Sequence, residues 1–554
     1  MHEVVVTLPN KRKIAVPYGT PVGTLMTHFC EESRECPVVA CFVNNELTSL
    51  SYKLKFNATL VPVTLDTSTG VTVYRRSLCF LLTVAARELF PGKTLTIGIS
   101  ISDGYFYFFP EQDTVPPEEL SALEERMREI VSLDVPIRRT VMSYHDALQY
   151  FTQNDQEATA ELLETRNEMK IPVHECRNFL DLAHGPLVPS TGYLKHFLLQ
   201  PYETGFILRF PKPGKTSGVF EPFKDNPLLF SIYREYKNWG KVLKVATAGQ
   251  LNKIITSNGI QEFIWVAEAL HNKKISQIAD RIAERRDQVK VILIAGPSSS
   301  GKTTFTKKLA IELRVLGFSP VVVSLDDYFV PRDRTPKDEE GNYDFEALEA
   351  IDIPLLNEHL LNLFQGKEVE VPLFDFKTGN RKEAGRLLKI NPNGILLMEG
   401  IHGLNDRLTP EIDPAWKFKI YVSALTQLNI DEHTRIPTTD NRLIRRIVRD
   451  YQFRGHTAYR TLTMWPSVRR GEDRNIFPFQ ESADVAFNSA LDYELGVLKP
   501  IAEPILKAVK PHHEVYSEAI RLLSFLNDFL PIPVKYVPET SILREFIGDS
   551  GFKY

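Results

Sequence analysis

The sequence predicts a multidomain α/β protein, and three observations carry that prediction. With 554 residues the chain exceeds what one hydrophobic core supports, so roughly two to four domains are expected. From residue 289 onward, strand-length apolar runs alternate with helical periodicity, the pattern of a parallel sheet flanked by helices. Before that point short β-rich runs and helical stretches are mixed, as in small α+β units.

Composition narrows the functional classes. Apolar residues make up 43% and charged residues 25% of the chain, ordinary values for a soluble globular protein. The formal charge of −4 gives no whole-molecule attraction to nucleic acid, although local basic patches remain compatible with it. The five cysteines (Cys30, Cys36, Cys41, Cys79 and Cys176) show no CxxC spacing. They fit a reducing compartment better than a disulfide framework or a zinc ribbon. The N-terminal MHEVVVTLPNKRK lacks an apolar signal-peptide core. Runs such as Cys79–Leu82 and Ile395–Met398 are far too short to span a bilayer. A cytoplasmic protein without a membrane partner is expected.

Taken in order, residues 1–65 offer strands at Val4–Leu8, Lys13–Val16, Val38–Val43 and Thr59–Val63, with a helix-like stretch at Val22–Phe29. Residues 66–215 open with a helical pattern over Ser77–Phe90, stopped by Pro91–Gly92. Strand-like Thr94–Ser100 and Tyr105–Phe109 follow, then helices over Pro117–Val131 and His145–Met169. The stretch PKPGKTSG at 211–218 is a loop by composition. Residues 216–288 are expected to be a largely helical connector. In residues 289–510, Val289–Ala295, Val321–Leu325, Ile395–Met398 and Phe418–Val422 are near-continuous apolar runs of the kind buried on both faces. Thr303–Leu316 is a helix ending at Gly317. Residues 511–554 form a tail, and its amphipathic Ser541–Gly548 is expected to dock on the rest of the molecule.

The chemistry concentrates at one loop. Gly296-Pro-Ser-Ser-Ser-Gly-Lys302-Thr303 matches GxxxxGK[ST] between a strand and a helix, the context that identifies a P-loop NTPase fold. Its glycines let successive N–H groups of Ser298, Ser299, Ser300, Gly301 and Thr304 turn toward phosphate oxygens, and the helix dipole adds positive potential there. Lys302 would reach the β- and γ-phosphates of ATP, and the Thr303 hydroxyl would sit on Mg²⁺. Ligands of parallel sheets bind at the carboxyl ends of strands. Asp326 and Asp327 follow one candidate strand and Glu399 another, so one carboxylate can accept a hydroxyl proton while another serves the metal. A helix cap or turn is the alternative role for the aspartate pair. No NKxD-type guanine-reading motif follows, which argues against a GTPase.

Arg442, Arg445, Arg446 and Arg449 recur at i, i+3, i+4 and i+7, one face of a helix whose other face is apolar. Like charges at that spacing repel, so an anion is expected among them, and guanidinium forks suit phosphate. A solvated face paired with Asp440 and Asp450 is the alternative. Arg454–Gly455–His456 would extend the set into a lid.

These motifs together resemble the uridine kinase and phosphoribulokinase family from about Val291 to Lys510: the loop 296–303, SLDDYF at 324–329, NYD at 342–344, VPLFDF at 371–376 with Arg381, MEG at 398–400 and the arginine segment. The resemblance implies ATP with Mg²⁺ and a nucleoside-like acceptor. It makes Asp326 the base for the acceptor 5′-hydroxyl and Asp344 the ligand of ribose hydroxyls. Tyr343, Phe374 and Phe376 would surround the base, Arg381 and Arg442 would bind substrate, and Glu399 with Thr303 would hold the metal. Lys302, Arg445, Arg446 and Arg449 would stabilise transferring charge. The aromatic residues are equally readable as core. One departure stands out: the family's base-reading histidine is matched here by Gly379, which has no side chain to hydrogen-bond a pyrimidine. Another hydroxyl acceptor, a sugar phosphate or vitamin precursor, is the rival substrate class.

The N-terminal part resembles two other modules. Residues 1–65 are similar to a TGS domain, a β-grasp unit, through VTLP at 6–9 and VVACFVN at 38–44. Residues 66–215 resemble the second additional domain of threonyl-tRNA synthetases through RRSLCFLL at 75–82, SDGYFY at 102–107 and DLAHGPLVPSTG at 181–192. The editing His-x₃-His and Cys-x₃-His of that family are matched by Arg76 and Phe80, then Ala183 and Leu187, side chains that neither bind metal in that pattern nor shuttle protons. The module is therefore expected to bind, regulate or oligomerise rather than hydrolyse, and deacylation of mischarged tRNA by it would overturn that expectation. RNA is a candidate partner of this half, an ATP-gated RNA-binding regulator the alternative function, and self-association stays open.

Overall fold

A computed structural model describes residues 2–28, 37–212, 220–337, 341, 343–375 and 378–553. Residues 213–219, Asn342 and Phe376 therefore lie outside the described residues, as do Cys30 and Cys36.

The N-terminal unit is a five-stranded mixed sheet. Glu3–Thr7 sits between Lys13–Pro17, antiparallel, and Ala58–Thr64, parallel. Val38–Val43 and Glu46–Thr48 complete the other side. Alternation in Glu3–Thr7 buries Val4 and Val6 and leaves Val5 outside, which fixes the register by burial.

The second unit builds on the helix Ser68–Leu89, which starts earlier than its apolar periodicity suggests because Thr67 caps it, accepting from the Gly70 N–H at 3.0 Å. That helix and Pro117–Ser132 pack on a four-stranded antiparallel sheet, Thr96–Ile101, Gly104–Phe108, Gly205–Arg209 and Leu198–Tyr202. The expected helix His145–Met169 is a correction: it is two helices, Tyr144–Gln153 and Glu157–Glu164, followed by the strand Lys170–Cys176. Asp155 breaks it at φ 51, a left-handed conformation that Asn and Asp tolerate best.

In the C-terminal half five parallel strands lie edge to edge in the order Ser319–Ser324, Gly394–Glu399, Val291–Ala295, Lys417–Ser423 and Val485–Asn488. This is the P-loop NTPase fold expected from the sequence. The edge strand Val485–Asn488 had no clear signature in the sequence, being only four residues long. One hydrophobic core joins this sheet to the helices Ala248–Thr256 and Ile260–Ala283 and to tail residues such as Leu522, Ile542 and Phe546. Connector and tail are thus packed into the same body as the sheet.

Residues 429–435, just before the arginine helix, reach into the synthetase-like unit. Ile97 donates its N–H to Glu432 O at 3.1 Å, and Asn429 Nδ2 donates to Ile97 O at 2.8 Å. His433 Nδ1 lies 3.0 Å from Asp181 Oδ2, and His184 Nε2 lies 3.3 Å from Asp431 Oδ2. Burial alone would lower the His433 pKa, but Asp181, Glu432 and Asp431 outweigh it and raise it to about 9. Because the folded value lies above the ordinary 6.5, the pair's contribution is complete below pH 6.5 and is lost as pH rises through about 9. The gap corresponds to about 3 kcal/mol at most. The thermal midpoint of the wild type is expected to fall by several degrees more between pH 6.5 and 9.5 than that of His433→Asn; parallel pH profiles would show that the pair contributes nothing.

Candidate active site

The register of the sheet brings the motifs together. Ser324 pairs with Glu399, and Glu399 pairs with Ile294, so Asp326, Glu399 and Gly296 leave neighbouring strands at the same level. Gly296 has no room for a side chain: a Cβ there would lie 2.0 Å from Val422 O. Gly301 (φ 80) and Ser299 (φ 60) supply the left-handed turns that curl the loop. The helix Lys302–Val315 then starts with its amides facing the loop.

Thr303 Oγ1 stands 3.4 Å from Glu399 Oε1. A phosphate-bound Mg²⁺ takes only one or two protein oxygens beside water and phosphate, and a hydroxyl beside a strand-end carboxylate fits that requirement. Burial pushes the Glu399 carboxyl up to about 7; Lys302 opposes this, and Asp326 and Glu545 add to it. Asp326 is half-buried in a short 3₁₀ turn, Leu325–Tyr328, whose cap is Ser324, accepting from the Asp326 N–H at 3.3 Å. Turn geometry and chemistry thus share one aspartate. Burial raises its carboxyl, Lys302 holds it down, and Asp327 pushes it up again. Lys302 Nζ donates to Pro297 O at 3.3 Å.

The arginine helix spans Thr438–Arg454 and turns Arg442, Arg445 and Arg446 onto the loop. Two of them need correction. Arg442 is bidentate to Glu472, at 2.5 and 2.9 Å, and also donates to Ser298 O. Arg445 is fully buried, donating to Glu494 Oε2 at 2.8 and 2.5 Å and to Ser489 O and Ser299 O at 2.9 and 3.3 Å. The compensating anions are protein carboxylates, and both residues also hold carbonyls of the loop. Arg446 donates to Ser298 Oγ at 2.8 Å. Arg446, Arg449 and Arg454 all lie within 3.4 Å of Asp450. Three guanidiniums against one carboxylate leave this cluster cationic, and Arg454 lies close enough to Asp326 for each to bear on the other's pKa.

The acceptor side is also redistributed. Arg381 donates to Phe329 O, Tyr328 O and Asp352 Oδ2 at 3.1, 3.2 and 3.0 Å, so it clamps the turn that carries Asp326. Phe374 is buried against Phe329 with ring centroids 5.5 Å apart and is a core residue. Tyr343 is 44% exposed, and the half-buried Asp344 accepts from the Glu346 N–H at 3.0 Å. At Gly379 a Cβ would meet Arg332 Nε at 2.6 Å, so a guanidinium fills the space a side chain would take. Sequence reasoning missed Glu346, whose carboxyl burial and Glu472 lift to about 7 against Arg446. It stands two residues beyond Asp344, with no periodicity to mark it.

In the synthetase-like unit Phe80 and Leu187 are buried in the core and Arg76 donates to Pro186 O at 3.3 Å. No group of three or more His, Cys, Asp or Glu suited to a metal occurs among the described residues.

The loop, the strand-end carboxylates and the cationic helix have a counterpart among known sequences. Residues 291–495 match the phosphoribulokinase / uridine kinase family. Outside this kinase-family region, the N-terminal part matches threonine–tRNA ligases. It is 37% identical over 158 residues to that of Desulforamulus reducens, which is 28% of this chain and 25% of the ligase, and 36% identical over the same length to that of Carboxydothermus hydrogenoformans. The chain spans about a quarter of the length of these relatives. Solved structures similar to it include one titled a possible uridine kinase from Bacillus stearothermophilus (20% identity, 38% of this chain and 100% of that one, TM-score 0.22). A D-glycerate 3-kinase from Cryptococcus neoformans is another (14%, 46% and 87%, TM-score 0.22).

Proposed function

We propose that the chain is an ATP-dependent phosphotransferase that moves the γ-phosphoryl group onto the 5′-hydroxyl of a nucleoside-like acceptor. The observation that carries this reading is the convergence of the phosphate loop, Asp326 and Glu399 at one level of the sheet. The match of residues 291–495 to a kinase family supports phosphotransfer; the resemblance of the 342–344 segment to that family's ribose-binding motif, with Tyr343 exposed, supports a ribosyl acceptor. Asp326 takes the hydroxyl proton as the acceptor oxygen bonds to the γ-phosphorus and the bond to the bridging β–γ oxygen breaks, releasing ADP. Lys302, Arg446 and Arg449 hold non-bridging oxygens whose charge is redistributed in the transition state. Thr303 and Glu399 would hold Mg²⁺, which neutralises phosphate charge. Three described cysteines, Cys41, Cys79 and Cys176, are free thiols, and no described helix is long and apolar enough to cross a membrane; both support a cytoplasmic setting.

ADP release from ATP and Mg²⁺ with a panel of ribonucleosides, sugar phosphates and vitamin-precursor alcohols tests this. Stimulation by a nucleoside of at least ~10-fold over the acceptor-free rate is the expected result, given what acceptor positioning contributes. Stimulation confined to sugar phosphates would reassign the acceptor. Absence of turnover with every alcohol, together with salt-sensitive tRNA binding, would favour an RNA-binding regulator.

A further inference from the structure

The C-terminal segment reaches the phosphate loop and puts a carboxylate on it. Glu545 Oε2 accepts from the Thr304 N–H at 3.1 Å and from Thr304 Oγ1 at 2.8 Å. Thr304 is the third residue of the helix that follows the loop. Its N–H lies in the first turn of the helix, where backbone amides form an anion seat.

A deeply buried strap holds Glu545 there. Ile542, Leu543 and Phe546 are fully buried. Ile542 Cγ2 lies 2.5 Å from where a Cβ on Gly301 would be, and Lys308 Nζ donates to Thr540 O at 3.1 Å. Phe546 carries the Arg445 guanidinium 5.0 Å from its ring centroid. Arg544 ties the strap to itself by donating to Val537 O at 2.6 Å. Glu545 alone among residues 541–547 is only half-buried, so its side chain can swing out while the strap stays packed.

Glu545 Oε2 takes both Thr304 donors, so a phosphate oxygen seated on that N–H displaces it from at least one of them, and two anions at contact distance repel. We propose that Glu545 is a built-in competitor for the nucleotide's phosphate chain. It occupies the Thr304 seat in the resting protein and swings aside when a nucleoside di- or triphosphate binds, so the C-terminal strap sets nucleotide affinity. This rests on the nucleotide-binding reading above.

The test is ADP binding in the presence of Mg²⁺ by calorimetry for wild type, E545Q and E545A. Both variants are expected to bind ADP ~10-fold more tightly, the scale of one charge-assisted hydrogen bond no longer displaced. Adenosine, which has no phosphate, is expected to bind all three alike. E545D keeps the charge on a shorter arm and is expected to fall between wild type and E545Q, which keeps the test open should either neutral variant fail to fold. Unchanged or weaker ADP binding in folded variants would overturn the competition while leaving the nucleotide site intact. Equal tightening of adenosine would overturn it too. Failure of wild type and variants alike to bind ADP at millimolar concentration would remove the nucleotide reading itself, and this inference with it.

Discussion

Asp326→Asn is expected to lower turnover by ~10²–10⁴, the range assigned to a positioned general base, while ATP binding stays near the wild-type value. The substitution keeps the size of the side chain and removes its capacity to accept a proton. Asp326 sits beyond the strand Ser319–Ser324, at the level of Glu399, with burial raising its carboxyl against the opposing pull of Lys302. A raised carboxyl is a stronger base than a free aspartate, which suits proton removal from an alcohol. Removing a negative charge beside the phosphate site gives no reason for ATP to bind less well. Rapid-quench ADP formation with saturating acceptor, next to equilibrium ATP binding, separates the two quantities. Turnover close to wild type would remove Asp326 from the chemistry and leave it the turn-forming role that its Ser324-capped position already provides.

The second large effect is expected from Glu494→Ala. Arg445 has no exposed surface and directs two N–H groups at Glu494, whose other oxygen accepts from Asn441 Nδ2. Deleting the carboxylate strands a cation in the interior, and breaking such a pair costs about 3–5 kcal/mol. The damage should also reach nucleotide binding, because Arg445 holds Ser299 O of the phosphate loop. Replacing both partners, Arg445→Met with Glu494→Leu, is expected to recover much of the stability, since matched apolar residues avoid the desolvation of both charges. Recovery of stability without recovery of ATP affinity would show the pair shaping the loop. A loss below about 1 kcal/mol for Glu494→Ala would mean that water reaches Arg445, contrary to its burial.

Much of the C-terminal half was legible because its signals are local. Strands buried on both faces must be apolar throughout, so Val291–Ala295 and Gly394–Glu399 stand out as continuous runs. The phosphate loop needs glycine where the backbone turns left-handed, which confines it to a recognisable pattern. Asp326 and Glu399 followed from the rule that parallel sheets present their ligands at strand ends. Helix breaks were less legible. Asn154–Asp155 interrupts a periodic stretch, because a single left-handed residue redirects the chain without altering its composition.

By itself, then, the sequence determined the strand–helix alternation, the phosphate cradle, the level of the two carboxylates and the single face shared by the arginines, since each depends on residues a few positions apart. Only the tertiary structure decided what those arginines meet. Arg442 is matched by Glu472, Arg445 by Glu494, and the Thr304 seat by Glu545, partners 30, 49 and 241 residues distant in sequence. Charge pairing in the interior is chosen by which groups folding brings within about 3 Å after water is excluded, and no local period in the chain encodes that proximity.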